Sequence, residues 1–356
     1  MRSRRSVAAL AIIMLLAAWV GPAAHAAPLQ APSPPRDGGL VVPSSPTVSA
    51  PSWILFDADA EVVLSSSEPD VRRPMASTTK IMTALLAMRY GELDDFVEVS
   101  QRAADVGEAE VGLVAGEKLQ MRHLVRALVI RSANDAAMAV AEHLGGSVEG
   151  FVEMMNAEAD AMGLENTHFE NPHGLDMEGH YSSPRDLLAM GLAAMSYPEF
   201  REMAITEDAD FPNAPDGTER TLSSTNLMLE RYPGTIGIKT GYTGKAGLVF
   251  VTGAVHDGRT LFAVVMGSEG ERAHFTDAET LLDWGFDRFR TVALVSAGSY
   301  EPPAPVRVEA EEPEQSPPPE PEPVIVTIVR RVDDQPPQLL EALGWMGRMF
   351  DRTASG

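Results

Sequence analysis

The apolar residues of this chain recur with period two near both ends of its central stretch and with a helical period between them. Few folds accommodate that order. Trp53-Ile54-Leu55-Phe56 and Val62-Val63-Leu64 read as two strands around Asp57-Ala58-Asp59-Ala60, hence a hairpin. From about Ser77 to Tyr90, Ile81, Leu85, Leu86 and Met88 are spaced as on a helix, with Gly91 as its stop. Helical patterns continue through Arg122–Ile130, Asp135–Leu144, Glu149–Met162 and Arg185–Met195. Strands return at Thr235–Lys239, Leu248–Val255 and Thr260–Gly267. Asp257-Gly258 marks a tight hairpin between the last two. A helix from about His274 to Phe289 closes the pattern. The expected fold is α+β, an antiparallel sheet packed with a helical cluster.

Both ends fall outside that pattern. Residues 1–26 read as an export signal, with Arg2, Arg4 and Arg5, then the apolar run Val7 to Val20, then a small-residue cleavage site at Ala24-His25-Ala26. Residues 27–50 are rich in Pro, Ser and Gly and suit a flexible lead-in. Residues 51–290 form the expected catalytic domain, and 291–336 a Pro/Glu-rich linker. Within that linker Val324–Val332 has strand-like composition without an evident partner. Residues 337–356 place Leu339, Leu340, Leu343, Met346 and Phe350 on one helical face, which suits peripheral contact with a membrane or a partner. The nearby charges Glu341, Arg348, Asp351 and Arg352 cancel, so the basic face that favours anionic lipid is missing.

Composition narrows the function. The net charge of −23 becomes −26 if the signal and its three arginines are removed, which speaks against nucleic acid as a partner. With no cysteine there is neither a disulfide nor a thiol nucleophile. His168, His173, Asp176 and His180 lie close in sequence, but no His-Glu-x-x-His is present. They read as polar loop residues, and no metal or other cofactor is expected.

Lysine is rare here, four residues against 24 arginines. Arginine stays protonated, whereas a buried lysine can become a neutral base. Two of the four lysines stand in short motifs. Ser77-Thr78-Thr79-Lys80 puts a hydroxyl and an amine three residues apart on one helical face, near a helix N-terminus whose field disfavours the ammonium form. That is a serine nucleophile with a lysine base. It is equally a capping serine followed by a surface lysine when taken alone. Ser132-Ala133-Asn134 lies between two expected helices, where the serine suits proton relay and the asparagine suits binding a substrate amide or orienting Lys80. Ser224-Thr225-Asn226 matches the same loose pattern, and spacing from Ser77 favours the first. Lys239-Thr240-Gly241, at a strand end, sets a cation and a hydroxyl toward a carboxylate, with a glycine that admits close approach.

The three motifs occur in the order and contexts of a known family. Pro74-Met75-Ala76-Ser77-Thr78-Thr79-Lys80-Ile81-Met82-Thr83-Ala84, Ser132-Ala133-Asn134-Asp135-Ala136, Asn171-Pro172-His173-Gly174-Leu175-Asp176, His180-Tyr181-Ser182-Ser183 and Gly237-Ile238-Lys239-Thr240-Gly241-Tyr242-Thr243 together resemble the low-molecular-mass penicillin-binding proteins of the serine D-alanyl-D-alanine carboxypeptidase family. The resemblance covers roughly residues 50 to 290. It implies that Ser77 attacks the carbonyl between the last two D-alanines of a peptidoglycan stem peptide while Lys80 takes its proton. It further implies an oxyanion hole from the backbone N–H groups of Ser77 and Tyr242, proton delivery to the leaving D-alanine by Ser132 and Lys239, and a carboxylate held by Lys239 and Thr240. Asn134 and Gly241 belong to the same substrate-binding set, and His173 to the rim. Water then frees the enzyme, and β-lactams acylate the same serine as inhibitors. The setting is extracytoplasmic.

The chain also departs from that family. An arginine often stands ten residues before an aromatic-Gly pair in the last helix. Counting back from Trp284-Gly285 reaches His274, with Arg272 two residues earlier, so either is a candidate for the carboxylate. The β-domain that often follows the catalytic domain is expected to be absent or reduced. Three alternatives share the fold: a non-catalytic penicillin sensor, a D,D-endopeptidase and a β-lactamase. The sensor would need spanning helices. The β-lactamase would need a Glu-x-x-Leu-Asn, which the chain lacks.

Overall fold

The computed structural model describes residues 44–294 and 326–331. The export signal, most of the lead-in and linker, and the 337–356 face lie outside the described residues. In chain order, a hairpin of β1 (Ser52–Asp57) and β2 (Val62–Ser67) leads into helix α1 (Lys80–Tyr90). There follow β3 (Phe96–Glu98), α2 (Gln101–Ala104), β4 (Lys118–Gln120), α3 (Met121–Arg126), α4 (Asn134–Gly145), α5 (Val148–Ala161), α6 (Pro184–Met195) and α7 (Pro198–Ala204). The chain then forms the hairpin β5 (Asp208–Phe211) and β6 (Arg220–Ser223), the short α8 (Met228–Arg231), and the strands β7 (Thr235–Thr243), β8 (Gly247–His256) and β9 (Arg259–Ser268). Helix α9 (Ala273–Arg288) precedes β10 (Phe289–Leu294), which pairs in parallel with β11 (Val326–Arg331).

The main sheet has the order β2-β1-β9-β8-β7 with every neighbour antiparallel. Both faces are buried, and strand alternation divides the apolar residues between them. Ile54, Val249, Val251, Phe262, Val264 and Met266 pack into the helical cluster. Leu55, Phe250, Ala254, Leu261, Ala263 and Val265 pack toward α9. Helix α1 runs through the middle of the cluster, buried from Lys80 to Ala87. A helix buried on all sides needs no polar face, so the lysine at its start is conspicuous. Strand β7 is an edge strand, so its outer N–H and C=O groups are left for something other than the sheet.

Local chemistry accounts for most of these elements. Asp257 (φ 49°) and Gly258 (φ 76°) both take the left-handed conformation that a two-residue type I′ turn requires. Ser147 and Ser183 cap α5 and α6 by accepting from Gly150 N and Asp186 N, and Pro184 follows the second cap at the position proline favours. Buried Asp57 accepts from Asp59 N and Ala60 N at 2.9 Å and pairs with Arg259, so one carboxylate joins the first hairpin to the last. Arg220 uses all five N–H groups, on Pro212 O, Gly112 O, Asn213 O and both oxygens of buried Glu117. It thereby fastens the β5–β6 hairpin to the loop before β4.

Three details differ from the sequence-based expectation. The first helix begins at Lys80, not Ser77, because Ala76–Thr79 form a tighter 3₁₀ turn. There Thr78 and Thr79 donate their hydroxyls to the carbonyls of Met75 (2.5 Å) and Ala76 (2.7 Å), three residues back, which favours the tight turn. Gly91 does stop that helix, but in an extended conformation (φ −99°). Glycine is needed because a Cβ would lie 2.8 Å from Ala87 O. Val326–Arg331, within the strand-like Val324–Val332 whose partner is not evident in the sequence, pairs with β10.

Candidate active site

Ser77 sits in the 3₁₀ turn, where residues three apart eclipse, so the Lys80 side chain returns over it. Lys80 Nζ lies 3.0 Å from Ser77 Oγ, 2.7 Å from Asn134 Oδ1 and 2.6 Å from the carbonyl of His173. Lys80 is wholly buried. Burial holds its pKa well below the usual lysine value, and the nearby charge of Lys239 lowers it further; Asp135 and Glu108 oppose the shift. A neutral amine has two N–H bonds and one lone pair. Asn134 Oδ1 and the His173 carbonyl can only accept, so they take the two N–H groups. The lone pair is left facing the one partner that can donate, the Ser77 hydroxyl.

Asn134 is oriented by its own amide, which donates to Gly107 O at 3.0 Å. The loop holding Gly107 is fixed in turn. Asp135, at the start of α4, accepts from Val111 N, Gly112 N and Leu113 N at 3.0–3.2 Å. Ser132 ends the turn before α4 in a left-handed conformation (φ 66°) and is buried, and its hydroxyl bonds no other described residue.

Alternation along β7 separates the third motif. Lys239 is paired in register with Val251, on the face of the helical cluster, while Thr240 is paired with Phe250, on the face of α9. Lys239 is buried, its pKa lowered to about 7 by desolvation. Its hydrogen bond among the described residues is to Thr240 O at 3.0 Å, which leaves N–H groups for a ligand. The Thr240 hydroxyl is 2.6 Å from that of Thr225. Gly241 abuts the Ser77 turn: a Cβ there would lie 2.9 Å from Ser77 N and 3.1 Å from Thr78 N. The side chain of Tyr242, next along the edge strand, is exposed.

A second segment approaches the same turn from another side. At Gly174 (φ 94°) a Cβ would fall 2.0 Å from Ala76 O. Asn171 holds this segment by accepting from His173 N and Gly174 N and donating to Leu175 O. His173 and His180 are buried, and desolvation drives them to about 3 and about 4, so both are neutral. His180 Nδ1 accepts from Glu170 N (3.0 Å), which leaves Nε2–H to donate to Thr79 Oγ1 at 2.8 Å. A cleft of about 500 Å³ opens beside the segment, with Met138, Val152, Asn171, His173, Leu175 and Asp176 on its walls.

The structure therefore brings Ser77, Lys80 and Asn134 into direct contact, sets Lys239 within electrostatic reach of Lys80, and packs Gly241 on the Ser77 turn. The other two candidates lie at the start of α9. Arg272 is exposed at its N-cap. His274 is buried, its ring edge on Phe250 at 5.7 Å, and desolvation lowers it to about 4. Thr225 was missed as a site residue. Its signal was present in Ser224-Thr225-Asn226, but as a neighbour of Thr240, not a rival to Ser132-Ala133-Asn134. The support from Thr79 and His180 has no local sequence pattern. Among the described residues no group of His, Asp and Glu is arranged to hold a metal ion.

The chain is similar to known proteins. Residues 40–270 match the family model for D-alanyl-D-alanine carboxypeptidase. The chain is 34% identical over 247 residues to D-alanyl-D-alanine carboxypeptidase DacF of Bacillus subtilis, covering 68% of this chain but 63% of that protein, just under two thirds. It is 36% identical over 259 residues to DacB2 of Mycobacterium tuberculosis, covering 70% and 85%. Among solved structures, the Streptomyces K15 DD-transpeptidase superimposes with a TM-score of 0.65 at 31% identity, covering 68% of this chain and 99% of that one.

Proposed function

The chain belongs to the D-alanyl-D-alanine carboxypeptidase family of serine peptidases, and from that premise we propose how its own residues remove the terminal D-alanine of a peptidoglycan stem peptide. The observation that carries the assignment of Ser77 and Lys80 is the Lys80 amine, with two acceptor-only partners and the Ser77 hydroxyl as its third. Lys80 takes the Ser77 proton as Oγ attacks the carbonyl between the two D-alanines. The oxygen that gains charge faces the N–H of Ser77 and that of Tyr242 on the free edge of β7. Lys239, as an ammonium, and the Thr240–Thr225 hydroxyl pair receive the terminal carboxylate. The proton now on Lys80 passes through the Ser132 hydroxyl to the departing amine, which leaves Lys80 neutral and Lys239 still an ammonium. Water then cleaves the ester. The extended peptide lies along β7, whose outer edge the sheet leaves open.

At α9, the exposed Arg272 guanidinium is the group offered to the carboxylate. His274 is neutral there and contributes shape. The family acts outside the cytoplasm on the cell wall. We assign residues 1–26 to export and the enzyme to the trimming of cell wall that underlies cell shape. Among the described residues no helix is long and apolar enough to cross a membrane. Membrane contact through residues 337–356 is part of the same proposal. It is tested by co-sedimenting full-length and 336-residue chains with anionic vesicles, where equal recovery rejects it.

The catalytic proposal is tested by D-alanine release from a D-Ala-D-Ala peptide, with a fluorescent penicillin as covalent label. Release by wild type and its loss in Ser77→Ala, with label recovered on Ser77, is the expected result. Full turnover by Ser77→Ala rejects it.

A further inference from the structure

The two segments that grip the nucleophile's turn are tied to each other. Gly174 and Gly241 each come so close to Ala76 and Ser77 that a Cβ would collide with backbone. Two residues beyond each, Asp176 meets Thr243: the Thr243 hydroxyl donates to Asp176 Oδ1 at 2.7 Å, and Lys245 N donates to Oδ2 at 3.2 Å. Thr243 Oγ1 also accepts from Ala246 N (3.1 Å), so one carboxylate closes the whole turn between β7 and β8.

We propose that Asp176 is a positioning residue for acylation, a strap that holds the free edge of β7 at a fixed distance from Ser77. The proposal rests on Ser77 being the nucleophile. Among the described residues strand β7 has a neighbour on one side only, and past Gly241 it runs into an exposed turn. Without the strap, the residues past Gly241 are held by pairing with β8 and by the bond from Ala246 N to Thr243. The base side has no such freedom. Asn171 fixes residues 173–175, and the His173 carbonyl in that segment is a partner of Lys80. Asp176 therefore references the strand that carries one N–H of the oxyanion site to the platform that orients the base. Oxyanion donors act over a few tenths of an ångström, so a small drift of β7 weakens charge stabilisation in the transition state while leaving the binding cleft in place.

The experiment is rapid-mixing acylation by a fluorescent penicillin, which separates the dissociation constant of the first complex from the acylation rate constant. In Asp176→Ala the rate constant is expected to fall about tenfold or more while the dissociation constant changes less than about twofold. Tm should stay within about 2 °C, since the strap is exposed. Asp176→Asn keeps an acceptor oxygen and should recover part of the rate. Thr243→Val should reproduce the loss, and the double variant should lose little more than either single one. If Asp176→Ala does not fold, Asp176→Asn and Thr243→Val decide between the same outcomes. An unchanged acylation rate, or a loss that follows the unfolded fraction, overturns the strap. Failure of wild type to take label on Ser77 overturns the nucleophile assignment instead, so the two failures are distinguishable.

Discussion

Lys80 Nζ stands 3.0 Å from Ser77 Oγ, and its two other partners can only accept hydrogen bonds. The pair is thus poised for transfer of the serine proton to a neutral amine, and charge at this position works against it. Lys80→Arg should keep a cation, lose the lone pair and abolish acylation, with at least a thousandfold lower rate on the order expected for losing a general base. Lys239→Arg keeps what a carboxylate needs and should retain measurable turnover with a raised KM. Equal loss in both, measured as kcat and KM on a D-Ala-D-Ala peptide, would sink the division of labour between the lysines.

The lysines were legible because their motifs are local: three residues on one turn, or two on one strand end. The antiparallel sheet and the helices around it were legible because apolar spacing reports burial, and Asp257-Gly258 because a type I′ turn demands those residues. What stayed hidden is nonlocal or too short to show a period. The β5–β6 hairpin has four residues per strand and is held by Arg220 reaching Glu117, 103 residues away. His180 supports Thr79 across 101 residues. The start of the first helix was misplaced because threonine hydroxyls competing for carbonyls leave no mark in apolar spacing.

The pH profile follows from two lysines displaced in the same direction for different tasks. Lys80 must be neutral to accept a proton, so kcat/KM falls on the acid side as it becomes an ammonium. Lys239 must be charged to hold a carboxylate, and in the free enzyme it loses its proton near pH 7. Above that pH, kcat/KM for a peptide with a free carboxylate should fall toward tenfold per unit. A substrate amidated at its C-terminus has no carboxylate to lose, so its slow turnover should show no alkaline limb. The same limb in both substrates would assign it to another group.

Three buried histidines make the fold sensitive to acid. Free imidazole binds a proton near 6.5, but His180 and His274 do so near 4 in the folded chain and His173 near 3, each because burial disfavours the charged ring. Between those values the unfolded chain holds more protons than the folded one, so stability falls as pH drops from 6.5 toward 4 and is unaffected by these groups above that range. The loss should reach several kcal/mol on the order-of-magnitude scale of such shifts. Urea midpoints from pH 7.5 to 4.5 read it directly. His274→Phe, set between Phe250 and Phe275, should flatten part of the slope, and a slope identical to wild type would show that His274 is not held neutral.

Gly241 tests how tightly β7 must pack on the Ser77 turn. A methyl at this position would lie 2.9 Å from Ser77 N, 3.0 Å from Ala76 Cβ and 3.1 Å from Thr78 N. The turn cannot readily yield, because Thr78 and Thr79 bond it to itself and Gly174 blocks retreat on another side. The strand must move instead, by a few tenths of an ångström, and it carries Lys239, Thr240 and the Tyr242 N–H with it. Gly241→Ala should therefore fold with a Tm lower by only a few degrees, yet acylate about a hundredfold more slowly, since small misplacements of reacting groups cost that much. Gly244→Ala, three residues on, meets nothing within 4 Å and should acylate like wild type. Fluorescent-penicillin labelling rates measure both, and equal rates in the two variants would mean that contact between β7 and the Ser77 turn does not govern the reaction.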